Sequence, residues 1–493
     1  MADYINFAVT GLLHTFLASL IGILVLFILR KHRRNTRAYE KLMPPGEMGI
    51  PWIGETLDFY RALQKNRLFE DFIAPRIKAH GMTFKTRLMG SPTVIVNGAE
   101  ANRFFLSNEF KLVVSSWPAS SVQLMGKNSI MEKSGEQHRV VRSILTSCLS
   151  NKGLEGLVPK ICKVVKAHLV KNWGDKPQEE RIISLYKTTK FLSFRIMCEC
   201  QLEMEAEEEL FECFEKVLEG IFSPLVNLPG TSFWRAKRAR AEIEKILVKL
   251  VRQKRKVIEE EQPAGAAAAE ETRTLLSRLV SAMIRGEITE VEVVDNIVLL
   301  IFAAHDTSSF AIAMTFKMLA QHQSCYSSLL QEHSNISTNK TKEGEDLTME
   351  DVMKMNYTWQ VARESVRLFP PIFGSFRRAT SDIEFDGFTI PQGWKVLWTA
   401  YGTHFSEDYF KDPMRFDPNR FEEPISPYIF VAFGGGPRVC AGYQLAKMNI
   451  LIFVHLAVTN YNWSLVQPHE PIVMDPLPLP SQGMPLRVSP KVQ

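Results

Sequence analysis

Cysteine is scarce in this chain and shows no pairing pattern. Seven occur among 493 residues, at positions 148, 162, 198, 200, 213, 325 and 440. The number is odd, no Cys-x-x-Cys occurs, and the one close pair, Cys198 and Cys200, has no histidines at zinc spacing. That argues against a disulfide framework and for reduced thiols facing the cytosol. An excess of one charge is also missing from the body. The formal charge is +5, and once Arg30, Lys31, Arg33, Arg34 and Arg37 are set aside, 54 basic residues face 54 acidic ones. Nothing global points to nucleic acid as a partner. There are no internal repeats, and biased composition is confined to 259–271 (EEEQPAGAAAAEE), which reads as a connection between helices. Residues 334–346 read as a second polar loop.

Charge is absent altogether from residues 5–29. As a helix at about 1.5 Å per residue, that stretch spans roughly 37 Å, enough to cross a hydrocarbon layer of about 30 Å. The basic cluster follows it and Asp3 precedes it, so the bulk of the chain is expected on the cytosolic side. A cleaved signal has the reverse arrangement, with its charge first and a small-residue site after the apolar run. Residues 1–30 are therefore expected to be a single transmembrane helix. Residues 31–54 carry the basic stop and a proline-rich segment containing Pro44, Pro45 and Pro51, which disfavours helix and reads as a stiff hinge. Residues 55–493 form the body, expected to be mainly α with a small β part. Strands are predicted at 83–89 and 93–96, with a hairpin over 383–390 around Asp386-Gly387.

The most informative segment is Phe433-Gly434-Gly435-Gly436-Pro437-Arg438-Val439-Cys440-Ala441-Gly442. A thiolate is a strong anionic metal ligand. Here it sits in a glycine-rich bend, followed by a helical pattern of Leu445, Met448, Ile452 and Leu456. A helix start offers unpaired N–H groups and a positive dipole end, both of which stabilise an anionic sulfur. The segment resembles the haem-ligand stretch of the cytochrome P450 family, Phe-x-x-Gly-x-Arg-x-Cys-x-Gly, at all five positions. The resemblance implies the P450 fold and a haem b whose iron is held by Cys440. Phe433, Gly436 and Gly442 would frame the sulfur, and Arg438 would face a haem propionate.

Further segments extend the likeness. Thr289-Glu290-Val291-Glu292 is a capping box opening an apolar helix that runs into Ala303-Ala304-His305-Asp306-Thr307-Ser308. An acid and a hydroxyl in an apolar helix are costly to bury unless they are used or bonded. This stretch is similar to the family's oxygen-activation motif, with Ala304 where a glycine is usual. Carried over, Thr307 is the hydroxyl and Asp306 the acid that relay protons to bound O2. Glu364-Ser365-Val366-Arg367, together with the later Arg420, resembles the family's structural carboxylate clasped by two arginines. His138 and Arg142 fit the early helix that meets the haem propionates, His138 standing where tryptophan is common. Arg377 looks like a further propionate partner, the choice between it and Arg378 staying open.

Phrases such as Pro370-Pro371-Ile372-Phe373-Gly374 and Asp475-Pro476-Leu477-Pro478 resemble the plant branch that oxidises triterpenoids and taxane diterpenoids. This implies a small apolar polycyclic substrate reached from membrane lipid, with Trp117, Val122, Leu124, Ala303, Ile372, Phe373 and Met484 as candidate pocket residues. Electrons would come from NADPH through a cytochrome P450 reductase, with cytochrome b5 an optional second donor, at the endoplasmic reticulum membrane. Other lipophilic plant metabolites, sterol-like or hormonal, are an alternative substrate class. Two other classes compete. A haem-thiolate isomerase or dehydratase would need no reductase, and a membrane-tethered binding scaffold would give no product.

Overall fold

The computed structural model describes residues 42–176, 179–261, 274–338 and 346–492. The uncharged stretch 5–29, the basic cluster behind it and most of the tract 259–271 lie outside the described residues. In chain order, the strands that frame the site are β1 (Thr83–Leu88), β2 (Ser91–Val96), β3 (Val113–Ser115), β4 (Gly374–Ala379), β5 (Ile383–Phe385), β6 (Phe388–Ile390) and β7 (Lys395–Thr399). Five of them form one sheet, in the order β1-β2-β7-β4-β3. Strand β2 begins two residues earlier than predicted and so includes Pro92. Proline lacks the N–H that a ladder needs, and Pro92 pairs only with Arg87 of β1; the parallel ladder to β7 starts at Thr93. The β5–β6 hairpin turns at Asp386 and Gly387, whose φ angles are +55° and +74°. Two positive φ angles in succession are the geometry that the Asp-Gly pair favours.

The helices that matter here are α1 (Ala99–Ser107), α2 (Gly135–Leu149), α3 (Leu185–Arg195), α4 (Glu208–Gly220), α5 (Glu290–Gln321), α6 (Asn356–Leu368) and α7 (Tyr443–Asn460). Helix α5 is capped as its sequence predicts: Thr289 Oγ1 accepts from the Glu292 N–H, and Glu292 accepts from the Thr289 N–H at 2.7 Å. Its length and hydropathy would suffice to cross a membrane, yet 72% of its most apolar stretch is buried inside the protein. It is the central rod of the core, packed on α3, α6 and α7. Leu445, Met448, Ile452 and Leu456 of α7 all turn inward, as their spacing requires. One expectation fails. Residues 334–338 are the last turn of a helix, Gln323–Thr338, not the start of a loop. Burial of His333 and Ile336 holds that turn in register although most residues around it are polar.

Candidate functional site

The cysteine loop is fixed by its backbone. The Cys440 N–H donates to the Phe433 carbonyl at 2.9 Å, and that of Gly434 to Val431 at 2.8 Å. Gly434 and Gly436 have φ angles of +71° and +64°, which a larger residue adopts only with strain. At Gly436 a β-carbon would also overlap the Leu106 carbonyl of α1. That glycine is therefore demanded by α1, a reason the sequence does not disclose. Cys440 keeps accessible surface although protein atoms surround it closely. Burial pushes its thiol pKa up, while the Gly442 N–H and the nearby Arg142 guanidinium oppose that. Gly442 caps α7, so the sulfur also lies near the positive end of a helix. Phe433 is wedged edge-on against Tyr443, with ring centroids 4.7 Å apart.

Cationic and polar groups gather beside the loop. Arg142 is half-buried and makes no hydrogen bond or ion pair with another described residue. Strand alternation separates the neighbouring arginines of β4: Arg377 points inward and Arg378 outward. Arg377 Nε lies 2.5 Å from Glu109 Oε2 as an ion pair, and its Nη1 donates to the Ser375 hydroxyl at 2.8 Å. Arg438 gives Nε to the same carboxylate at 2.6 Å, and its Nη atoms to the Ile130, Met131 and Lys133 carbonyls. His138 is buried against the Phe110 ring. Burial, then Arg438 and Arg142, lower its pKa to about 4, so it is neutral near pH 7. An accessible sulfur, an unspent guanidinium beside it and the unused Nη2 of Arg377 suit a flat anionic metal complex, and these residues fit a haem.

On α5, Ala303, Ala304 and Thr307 keep accessible faces on a helix otherwise sunk in the core. Thr307 donates its hydroxyl proton to the Ala303 carbonyl at 2.7 Å, leaving its oxygen able to accept. Asp306 turns into the protein. It accepts from the Tyr186 hydroxyl at 2.9 Å, and it contacts Lys190 Nζ and His305 Nε2, each at 2.9 Å. Lys190 and His305 also meet Glu215 of α4, at 2.7 and 3.3 Å. His305 Nδ1 faces the Ile301 carbonyl at 2.9 Å while Nε2 faces two carboxylates, so both nitrogens carry protons. Burial alone would lower the His305 pKa, but Asp306 and Glu215 outweigh it and raise it to about 9. Burial likewise disfavours the Asp306 anion, yet His305 and Lys190 hold it well below the usual carboxylate range. Glu215, His305 and Asp306 are ligand types within reach of one ion, but the Lys190 ammonium already stands between the two carboxylates.

The sequence missed Tyr186, Lys190, Glu215 and Glu109. They belong to two separate helices and a loop, and only tertiary packing gathers them. Glu364, Arg367 and Arg420 do come together. Arg367 grips both Glu364 oxygens at 2.6 and 2.8 Å, and Arg420 Nε approaches at 3.3 Å. Among the proposed pocket residues, Trp117, Ala303 and Ile372 are exposed, and Val122 and Phe373 are half-buried. Leu124 and Met484 are enclosed, at 1% and 2%.

A family model described as Cytochrome P450 matches residues 44–487. The chain is 37% identical to Taxane 13-alpha-hydroxylase of Taxus cuspidata over 485 residues, covering 97% of each. It is 36% identical to Beta-amyrin 28-monooxygenase of Barbarea vulgaris, covering 97% of this chain and 99% of that protein. Among solved structures it resembles retinoic acid-bound cyanobacterial CYP120A1, with a TM-score of 0.78 and 31% identity, over 91% of this chain and 99% of that one.

Proposed function

The chain belongs to the cytochrome P450 family and is a monooxygenase of that family; from that premise we propose that it inserts one oxygen atom of O2 into an apolar polycyclic terpenoid, a triterpenoid or a diterpenoid. The observation that carries the reading is the Cys440 loop in full family pattern, combined with relatives whose names specify taxane and β-amyrin oxidation. Electrons come from NADPH through a membrane-bound reductase. Residues 1–30 anchor the chain in the endoplasmic reticulum membrane, 31–54 form the hinge, and the body from 55 onward is cytosolic. Trp117, Ala303, Ile372 and Phe373 line the substrate side, where apolar contacts set regiochemistry at about 1–3 kcal/mol per methylene.

When bound, the haem supplies O2 activation and transfer of one oxygen atom, its iron held by the Cys440 sulfur. The remaining work falls to the chain. Arg142, Arg377 and neutral His138 are placed to bind and orient the propionate edge. Thr307 presents an acceptor oxygen on the accessible face of α5 and passes a proton across it. Asp306, ionised, hydrogen-bonded by Tyr186 and ion-paired with Lys190 and His305, takes up a proton only when one of those contacts breaks, so these three residues set when it does. An isomerase or dehydratase would not need this arrangement, and both Thr307 and the cysteine loop are intact here.

Two experiments test the reading. In yeast microsomes containing this chain and a plant reductase, a panel of pentacyclic triterpenes, tetracyclic triterpenes and diterpenes should yield a product heavier by one oxygen. That product should depend on NADPH. No product, in microsomes with an intact reduced, CO-bound thiolate-haem spectrum, would remove the terpenoid assignment. Thr307→Ala should leave NADPH consumption in place while product per NADPH falls about tenfold or more, since positioned proton transfer is typically worth about 10²–10⁴ in rate. Unchanged coupling would remove Thr307 from the relay.

A further inference from the structure

Glu109 lies just beyond α1 and is 3% exposed. Its Oε1 accepts from Arg438 Nε at 2.6 Å, from the Ser115 N–H at 3.1 Å and from the Ser115 hydroxyl at 3.2 Å. Its Oε2 meets Arg377 Nε at 2.5 Å. A buried carboxylate is expensive unless paired and hydrogen-bonded; this one is hydrogen-bonded by Arg438 and Ser115 through Oε1 and ion-paired with Arg377 through Oε2, which has no hydrogen bond of its own. Both arginines are held by their Nε sides. Their forked ends therefore point elsewhere: those of Arg438 to the carbonyls of residues 130, 131 and 133, and that of Arg377 partly to Ser375 and Phe376. One side chain thus joins the cysteine loop, strand β4 and strand β3, whose end leads to Trp117.

We infer that Glu109 is a positioning residue for the cofactor edge, fixing Arg377 beside the haem propionates, bracing it against Arg438 of the cysteine loop and setting the negative charge there. The inference rests on the haem-edge role proposed above for Arg377. Two consequences follow from charge and geometry alone. Removing the anion makes the surroundings less negative, and reduction of ferric haem, which adds an electron, becomes easier. Releasing Arg377 also loosens its hold on the propionates.

The test compares holoprotein carrying Glu109→Gln and Glu109→Asp with the unaltered chain. Midpoint potential is read by spectroelectrochemical titration, and haem loss by transfer to apomyoglobin. For Glu109→Gln the potential should rise and haem loss should quicken about tenfold or more. Glu109→Asp keeps the charge at shorter reach, so its potential should stay near that of the unaltered chain while haem loss is intermediate. A Glu109→Gln holoprotein with unaltered potential and haem loss overturns the inference. If that variant yields no loaded protein, Glu109→Asp decides: faster haem loss at an unmoved potential supports the role, and an unaltered rate overturns it. Both readouts are independent of substrate, so failure of the terpenoid assignment leaves this result standing.

Discussion

With Cys440 replaced by alanine, microsomes should show no reduced, CO-bound thiolate-haem spectrum and no NADPH-dependent product, while the polypeptide accumulates to an ordinary level. The backbone argument separates the two effects. The loop is built by the Cys440 N–H on Phe433, by the positive φ angles of Gly434 and Gly436, and by the approach of Gly436 to Leu106. Alanine at 440 keeps all of these and removes only the sulfur. None of the buried cysteines can substitute. Cys148, Cys162, Cys198 and Cys200 are enclosed in the core at 2% exposure or less, so none presents its sulfur to a group the size of a haem. Alanine at 148 or 200 should accordingly leave the thiolate-haem spectrum in place. A normal spectrum from Cys440→Ala, measured beside an immunoblot for chain level, would sink the assignment of the ligand.

The cysteine loop was legible in the sequence because its chemistry is local. Its glycines, proline, arginine and cysteine lie within ten residues, although the close approach of Gly436 to Leu106 of α1 is a reason only the fold supplies. Helix α5 was legible for the same cause, its capping box and apolar run being contiguous. The β5–β6 hairpin declared itself through Asp386-Gly387. What stayed hidden depends on partners distant in the chain. Asp306 could be named as an acid, but its state is set by Tyr186 and Lys190, more than a hundred residues earlier, and by Glu215 on another helix. Glu109 is an unremarked residue in sequence and becomes legible only when Arg377 and Arg438 close on it. The opposite orientations of Arg377 and Arg378 needed the register of β4, because one residue of shift exchanges inward for outward.

Glu364→Ala should cost about 3–5 kcal/mol, the range for breaking a buried pair by removing one partner. Glu364 and Arg367 are both fully buried, at 0%. Besides both Arg367 contacts, Glu364 accepts from the Asp417 N–H at 3.0 Å, tying α6 to the segment that precedes the cysteine loop. Without the carboxylate, Arg367 keeps its bonds to the His404 and Arg415 carbonyls but holds an uncompensated charge in the core. The segment carrying Arg420 then loses its anchor, and the thiolate-haem signal of expressed protein should fall to background. Arg420→Ala should be milder. That arginine is partly exposed and reaches Glu364 only at 3.3 Å, while its other bonds, to the Asp412 and Arg415 carbonyls, lie near the surface. Its variant should assemble and then lose signal faster on warming. The check is the time course of the CO-bound spectrum at 37 °C for both variants. Equal stability of Glu364→Ala and the unaltered chain would show that α6 does not support the ligand loop.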